Sequence, residues 1–128
     1  VLVTVETAAA FLRLDTESVY RLSDTGHLRW VFNVATEPNG EIRCLRFWLG
    51  EILNRSARSF AADDVREAIV GHDFCLDLCR RTVGDILMLR PPNILYLVNS
   101  GQLTPPLPGD RTHVTRSSLL TFLARRQL

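Results

Sequence analysis

Residues 4–28 read TVETAAAFLRLDTESVYRLSDTGHL, and residues 79–103 read CRRTVGDILMLRPPNILYLVNSGQL. At an offset of 75 (79 − 4), the two stretches share their apolar spacing and one glycine, Gly26 against Gly101. The other matched pairs are Thr7/Thr82, Leu12/Leu87, Leu14/Leu89, Val19/Ile94, Leu22/Leu97 and Leu28/Leu103. Self-similarity at a fixed period indicates an internal repeat. The chain is therefore predicted to contain the same unit twice.

Local signals predict two short helices in each copy. Thr4 and Asp15 are residue types that favour helix N-caps, and Gly26 can take the left-handed conformation that ends a helix. In the second copy, Pro91 and Pro92 stand at the start of the second helix, where a missing N–H costs little. Two short helices joined by a three-residue turn form a helix-turn-helix.

A hairpin and a third helix are predicted after each helix pair. Residues 28–46 alternate apolar and polar side chains on either side of Pro38-Asn39-Gly40, which is a strong hairpin signal. RFWLGEIL (46–53) returns to helical spacing, and it aligns with the end of the second copy if Arg46 matches Arg116. There the wing would be TPPLPGDRTHV (104–114), and Thr115 or Ser117 would cap the closing helix.

The predicted fold is mainly α with small β-hairpin wings, arranged as a tandem winged helix-turn-helix. Residues 1–56 would form the first copy, 57–78 a helical connector and 79–128 a degenerate second copy. In the connector, Asp63 and Asp64 would favour a helix start through the helix dipole. A longer helix over FCLDLCRRTVGDILML (74–89) would join the two copies.

Composition and charge bound the class of protein. The chain has 128 residues and a net charge of +1, and it has no apolar run long enough for a transmembrane helix. Residues 80–128 contain seven Arg and two acids, whereas residues 1–55 contain six Arg and seven acids. No secretion signal is visible, and three cysteines are an odd number. Both points favour the cytoplasm.

The motif in the first copy resembles the excisionase and MerR-type winged helix-turn-helix family. The matching residues are Thr4-Val5, Ala8-Ala9, Leu12, Val19-Tyr20-Arg21, Gly26, Leu28, Arg46, Leu49 and Leu53. The second copy offers Ile94, Leu97, Gly101, Leu103, Arg116, Leu119, Phe122 and Leu123. It departs from the pattern by having Tyr96 where the first copy has Arg21.

The resemblance implies a sequence-specific double-stranded DNA-binding protein without catalytic activity, either a transcription regulator or an excisionase-like architectural factor of a bacterium, phage or mobile element. In this architecture the second helix lies in the major groove and the wing contacts the backbone. The implied DNA-binding residues are Thr16, Glu17, Ser18, Arg21, Arg29, Arg43 and Arg46, followed in the second copy by Asn93, Tyr96, Arg111, His113 and Arg116. A homodimer is an open alternative to a monomer.

Other groups of residues give weaker indications of function. His72, Cys75 and Cys79 could lie on one helical face, but a structural zinc site wants a fourth ligand, so the cysteines are expected in the core and no metal is expected. Nucleotide-binding and hydrolase motifs are absent from the sequence, so no cofactor and no small-molecule substrate are expected. Trp30 and Trp48 are expected to hold the wing against the third helix.

Two other hypotheses remain open. The weak net charge and the apolar second helix of the second copy favour a protein–protein interaction or dimerisation module that has lost DNA binding. The chain could also be a regulatory domain of a larger enzyme, since it begins at Val1 rather than Met.

Overall fold

The computed structural model describes residues 2–36, 45–53, 60–71 and 77–128. The elements in chain order are β1 (Leu2–Thr4), α1 (Val5–Leu12), α2 (Thr16–Asp24), β2 (Val31–Asn33), β3 (Leu45–Trp48), α3 (Leu49–Leu53), α4 (Ala62–Val70), β4 (Asp77–Cys79), α5 (Arg80–Leu87), α6 (Pro91–Asn99), β5 (His113–Thr115) and α7 (Arg116–Arg126). The predicted class, mainly α with small β elements, is confirmed at this level.

The chain divides into two compact units. Unit 1 is Val1–Phe60 with Arg126–Leu128, and unit 2 is Ala61–Arg125. Helix α4, which the sequence suggested as part of a separate connector, therefore belongs to unit 2. Asp63 and Asp64 lie in its first turn, as predicted.

Unit 1 is built on a three-stranded antiparallel sheet in the order β1-β3-β2. Val3 and Val31 both lie opposite Phe47, which is 1% exposed and central to the core with Ala8 and Val19. Alternate side chains of a strand point to one face, so β3 can pack Leu45 and Phe47 inward together.

Trp48 covers the start of α3 in unit 1. Its ring meets the ring of Phe60 edge-on at a centroid distance of 5.0 Å. A Cβ built on Gly50 would lie 2.7 Å from the Trp48 ring, so any larger residue there would require the ring to shift. Trp48 therefore packs on the start of α3 and on Phe60 from its position on β3, whereas the sequence placed it within the third helix.

Unit 2 contains the two-stranded antiparallel sheet β4-β5, with Leu78 opposite Val114. Its core is made of fully buried aliphatic side chains from α5, α6, the segment after α6, β5 and α7: Val83, Leu87, Ile94, Leu97, Leu103, Val114, Leu119 and Leu123. Thr115 caps α7 by accepting the N–H of Ser118 at 3.2 Å, so the first of the two predicted caps is confirmed.

The backbone repeats at the predicted offset. Residues 2–28 and 77–103 contain the same strand, helix, three-residue turn and helix, and we call these two segments the repeated frame. The N–H of Leu14 donates to Ala9 O and that of Leu89 to Gly84 O, both at 3.0 Å. Arg13 and Met88 share a φ of 55°, and Gly26 and Gly101 share a φ of 79°. Each glycine takes the left-handed conformation that was predicted for Gly26.

Three predictions of local structure are wrong. Arg46–Trp48 is strand rather than helix, because these residues complete the sheet between β1 and β2. Residues 77–79 form β4, so α5 starts at Arg80 instead of extending back to Phe74. In unit 2 the described residues 104–112 contain no strand, and β5 pairs with β4 rather than within a hairpin wing.

The alignment after the frame also needs correction. The ends of β3 and β5 correspond at an offset of 67 (115 − 48), because Trp48 lies opposite Leu2 and Thr115 opposite Asp77. Arg46 therefore corresponds to His113, not to Arg116.

Candidate nucleic-acid interface

Helix α2 presents a polar surface at its start. Asp15 caps it by accepting the N–H of Ser18 at 2.8 Å, as predicted. The side chain and backbone of Ser18 lower the pKa of Asp15. Thr16 and Glu17 are exposed, and Ser18 is half-buried. A helix start of this kind leaves backbone N–H groups that can receive a phosphate.

The arginines predicted in unit 1 differ in exposure. Arg21 on α2 and Arg29 before β2 are exposed, and Arg29 donates its backbone N–H to Glu51 of α3 at 3.3 Å. Arg46 is half-buried on β3, and its Nη1 donates to Leu45 O at 3.1 Å. Arg43 lies outside the described residues, as do the predicted turn and Cys44.

Helix α6 differs from α2 at its N-terminus. Pro91 and Pro92 occupy its first two positions, so neither has an N–H to offer a ligand. Asn93 is half-buried and donates its N–H to Arg90 O at 3.0 Å. Tyr96 is 39% exposed. The outward surface of α6 is therefore more apolar than that of α2.

Asp110 organises the loop that leads into β5. Its Oδ1 accepts the N–H and the hydroxyl of Thr112, both at 2.8 Å, and the N–H of His113 at 3.2 Å. These hydrogen bonds lower the pKa of Asp110. Arg111 and His113 are exposed on this loop and strand, within reach of a ligand from solvent.

Arg116 has a structural partner. Its Nη2 donates to Gly71 O at 2.8 Å, and its Nε is buried with no hydrogen-bond partner in the described part of the chain. The side chain is half-buried and connects the start of α7 to the end of α4 within unit 2. Arg116 is therefore a structural residue of unit 2 rather than a ligand contact.

Three further arginines surround the frame of unit 2. Arg80 and Arg81 begin α5, and Arg90 occupies the N-cap position of α6. Arg81 and Arg90 are exposed, whereas Arg80 is half-buried and donates to Asp110 O at 3.2 Å. Sequence reasoning overlooked them, although the repeat itself places them at the first helix and at the cap of the second.

The prediction of core cysteines is wrong for Cys79. This residue is exposed at the end of β4, and its Sγ lies 3.0 Å from Thr82 Oγ1. The hydroxyl and N–H of Thr82 stabilise a thiolate and so lower the pKa of Cys79. His72 and Cys75 are outside the described residues, and the described part contains no cluster of three potential metal ligands.

Comparisons with known proteins gave no match to any family model, curated protein or solved structure. Among the described residues, none of the helices has both the length and the apolar character needed to span a bilayer.

Proposed function

We propose that this chain binds double-stranded DNA through two helix-turn-helix units of the excisionase and MerR type, with the β2–β3 pair of unit 1 as its wing. The role would be that of a transcription regulator or an excisionase-like architectural factor in the cytoplasm. The observation that supports this most is the repeated frame with arginines at the helix starts of unit 2, Arg80, Arg81 and Arg90.

Unit 2 would supply most of the electrostatic attraction. Phosphate contacts from Arg dominate the affinity of DNA-binding proteins. Arg81 and Arg90 are exposed beside α6, with Arg111 on the nearby loop of the same unit, and Arg80 is held by Asp110. Asn93 and Tyr96 on α6 would then contact bases or phosphates.

Unit 1 would contribute recognition of the base sequence rather than electrostatic attraction to the DNA. Ser18 and Arg21 follow the capped start of α2, and Arg is the side chain that best pairs with guanine. However, Glu6, Asp15 and Glu17 are exposed around the same helix start, and they oppose phosphate. The contribution of unit 1 to affinity is therefore expected to be small.

A salt series tests the proposal. Fluorescence anisotropy with a labelled duplex from the gene's upstream region should give an affinity that falls steeply with salt. The double substitution Arg81→Ala with Arg90→Ala should lower the slope of log K against log salt by about 0.9 for each phosphate that is no longer neutralised. The matched control is Arg125→Ala, because Arg125 is an exposed arginine on α7 of the same unit. Absence of binding to any duplex at low salt would contradict the proposal.

A second candidate function is a protein-interaction module. An open groove of about 790 Å³ in unit 2 supports it. Its lining is mostly apolar, with Gly84, Leu89, Pro91, Pro92, Ile94 and Leu95, and its polar lining residues are Arg80, Arg81 and Asp85. Apolar lining of this kind is more typical of a protein contact than of a phosphate contact.

A further inference from the structure

The groove of unit 2 lies on the surface of the repeated frame between α5 and α6. We call it the basic groove, and define it by the lining residues given above together with Arg90, which precedes α6. Leu95 is 47% exposed on its wall. Arginines 80, 81 and 90 against Asp85 give this surface a net charge of +2 (3 − 1).

Unit 1 has a corresponding surface on its own copy of the frame. There Leu14 is 42% exposed and Tyr20 is 38% exposed, at the positions that Leu89 and Leu95 hold in unit 2. Glu6, Asp15 and Glu17 are exposed in the same copy of the frame. We call Glu6, Leu14, Asp15, Glu17 and Tyr20 the acidic face; with the neighbouring exposed Arg13 and Arg21 counted against its three acids, the net charge of this region is −1 (2 − 3).

The charges of the two surfaces are opposite at equivalent positions. At the offset of 75, Glu6 corresponds to Arg81 and Asp15 to Arg90. The surrounding backbone is the same in both units, as the shared hydrogen bonds show. Each surface therefore combines exposed apolar side chains with charges that complement those of the other surface.

We propose that the acidic face of one copy of this chain docks into the basic groove of a second copy. Leu14 and Tyr20 would insert between Leu89 and Leu95, while the carboxylates meet the arginines at the rim. Because the two surfaces differ, the contact is heterologous, and it joins chains head to tail. Complementary charges of this kind select the partner and the orientation. This proposal does not depend on DNA binding.

The test is sedimentation velocity of the whole chain without DNA, over a range of protein concentrations. The wild type should self-associate at low salt and dissociate when added salt shortens the screening length. Arg81→Glu with Arg90→Glu should weaken the association by about tenfold or more, and so should Glu6→Arg with Glu17→Arg. Asp15 is left intact because it caps α2.

Mixing the two variants supplies the decisive result. Each has one reversed surface and one native surface, and the reversed surfaces complement each other, so an equimolar mixture should form a complex that neither variant forms alone. Arg111→Glu with Arg125→Glu is the matched control and should associate like the wild type, since both side chains are exposed outside the groove lining. The milder pair Glu6→Gln with Glu17→Gln guards against misfolding and should give a smaller loss.

Three outcomes would overturn the proposal: a wild type that stays monomeric at every concentration, an association unchanged by reversing Arg81 and Arg90, or a mixture without complex. A monomeric wild type would assign the groove to another partner. Because no DNA is present, these results leave the salt-series test of DNA binding separate.

Discussion

The two units share a backbone frame but not a surface. Both form the same turn, with a left-handed residue at Arg13 or Met88, and both end the second helix at a glycine. Their charged residues differ, however, so that Glu6 and Asp15 face solvent in unit 1 where Arg81 and Arg90 do in unit 2. Buried apolar spacing and backbone hydrogen bonds maintain the frame, and the exposed positions are free to acquire different binding properties.

Packing also differs between the units. Three leucines of the frame are fully buried in unit 2, and their equivalents in unit 1 are half-buried. The fully buried members are Leu87, Leu97 and Leu103, and their half-buried counterparts are Leu12, Leu22 and Leu28. A leucine that is enclosed on all sides leaves a larger cavity when it is truncated.

The largest expected effect comes from this difference. Leu97→Ala should lower the free energy of unfolding by about 2–5 kcal/mol, and Leu22→Ala by about half as much or less. Urea denaturation followed by circular dichroism measures both. Equal losses would mean that the two frames are packed alike, which would contradict the difference in burial.

Local signals explain how much of the fold could be predicted. The caps at Thr4 and Asp15, the prolines at the start of α6 and the glycine stops act within a few residues, so the sequence reveals them directly. The three-residue strands β1 and β4 depend on partners more than 30 residues away, and nothing in their own residues distinguishes them from helix flanks. For the same reason the local pattern wrongly predicts helix at Arg46–Trp48.

The candidate site was predictable only in part. The exposure of Thr16, Glu17 and Arg21 follows from helical periodicity, and so do the inward positions of Val19 and Leu22. The bond from Arg116 to Gly71 O joins residues 45 apart in the chain, so it could not be read from local pattern. The role of Arg116 at the start of α7 emerged only from the packing of unit 2.

The next largest expected effect is on thermal stability, and it compares the N-caps of α2 and α6. Asp15→Ala should lower the melting temperature by a few degrees, because Asp15 accepts the N–H of Ser18. Arg90→Ala should leave it nearly unchanged, since the Arg90 side chain makes no capping hydrogen bond in the described range 77–128. Thermal unfolding by circular dichroism compares the two variants.

The cap at Asp15 should also depend on pH. Its pKa is lower in the folded chain than the ordinary 3.8, so the folded state binds fewer protons than the unfolded state around that pH. The stabilisation is therefore complete at neutral pH and disappears as the pH falls through the folded-state pKa. Asp15→Asn is the control, because an amide oxygen can still cap the helix but does not titrate there. A wild type and an Asp15→Asn variant with parallel pH profiles would contradict this account.

The smallest expected effect is a change in melting temperature when the N-cap residues of the first helices, α1 and α5, are exchanged. Thr4 caps α1 by accepting the N–H of Thr7 at 3.2 Å. Cys79 holds the equivalent position before α5, and its Sγ lies 3.0 Å from Thr82 Oγ1, but in the described range its side chain makes no capping hydrogen bond with a backbone N–H of the helix. A hydroxyl is a better acceptor than a thiol, so Cys79→Thr should raise the melting temperature slightly at neutral pH. The reverse change, Thr4→Cys, should lower it.

The advantage of threonine at position 79 should shrink as the pH rises. Thr82 lowers the pKa of Cys79 below its ordinary 9.0, so the folded chain loses the thiol proton before the unfolded chain does. Above the folded-state pKa the thiolate accepts from the start of α5, and the wild type gains stability that it lacks at lower pH. Differential scanning calorimetry of both proteins from neutral to alkaline pH measures this. A difference that stays constant across that range would mean that the thiolate does not replace the hydroxyl as a cap.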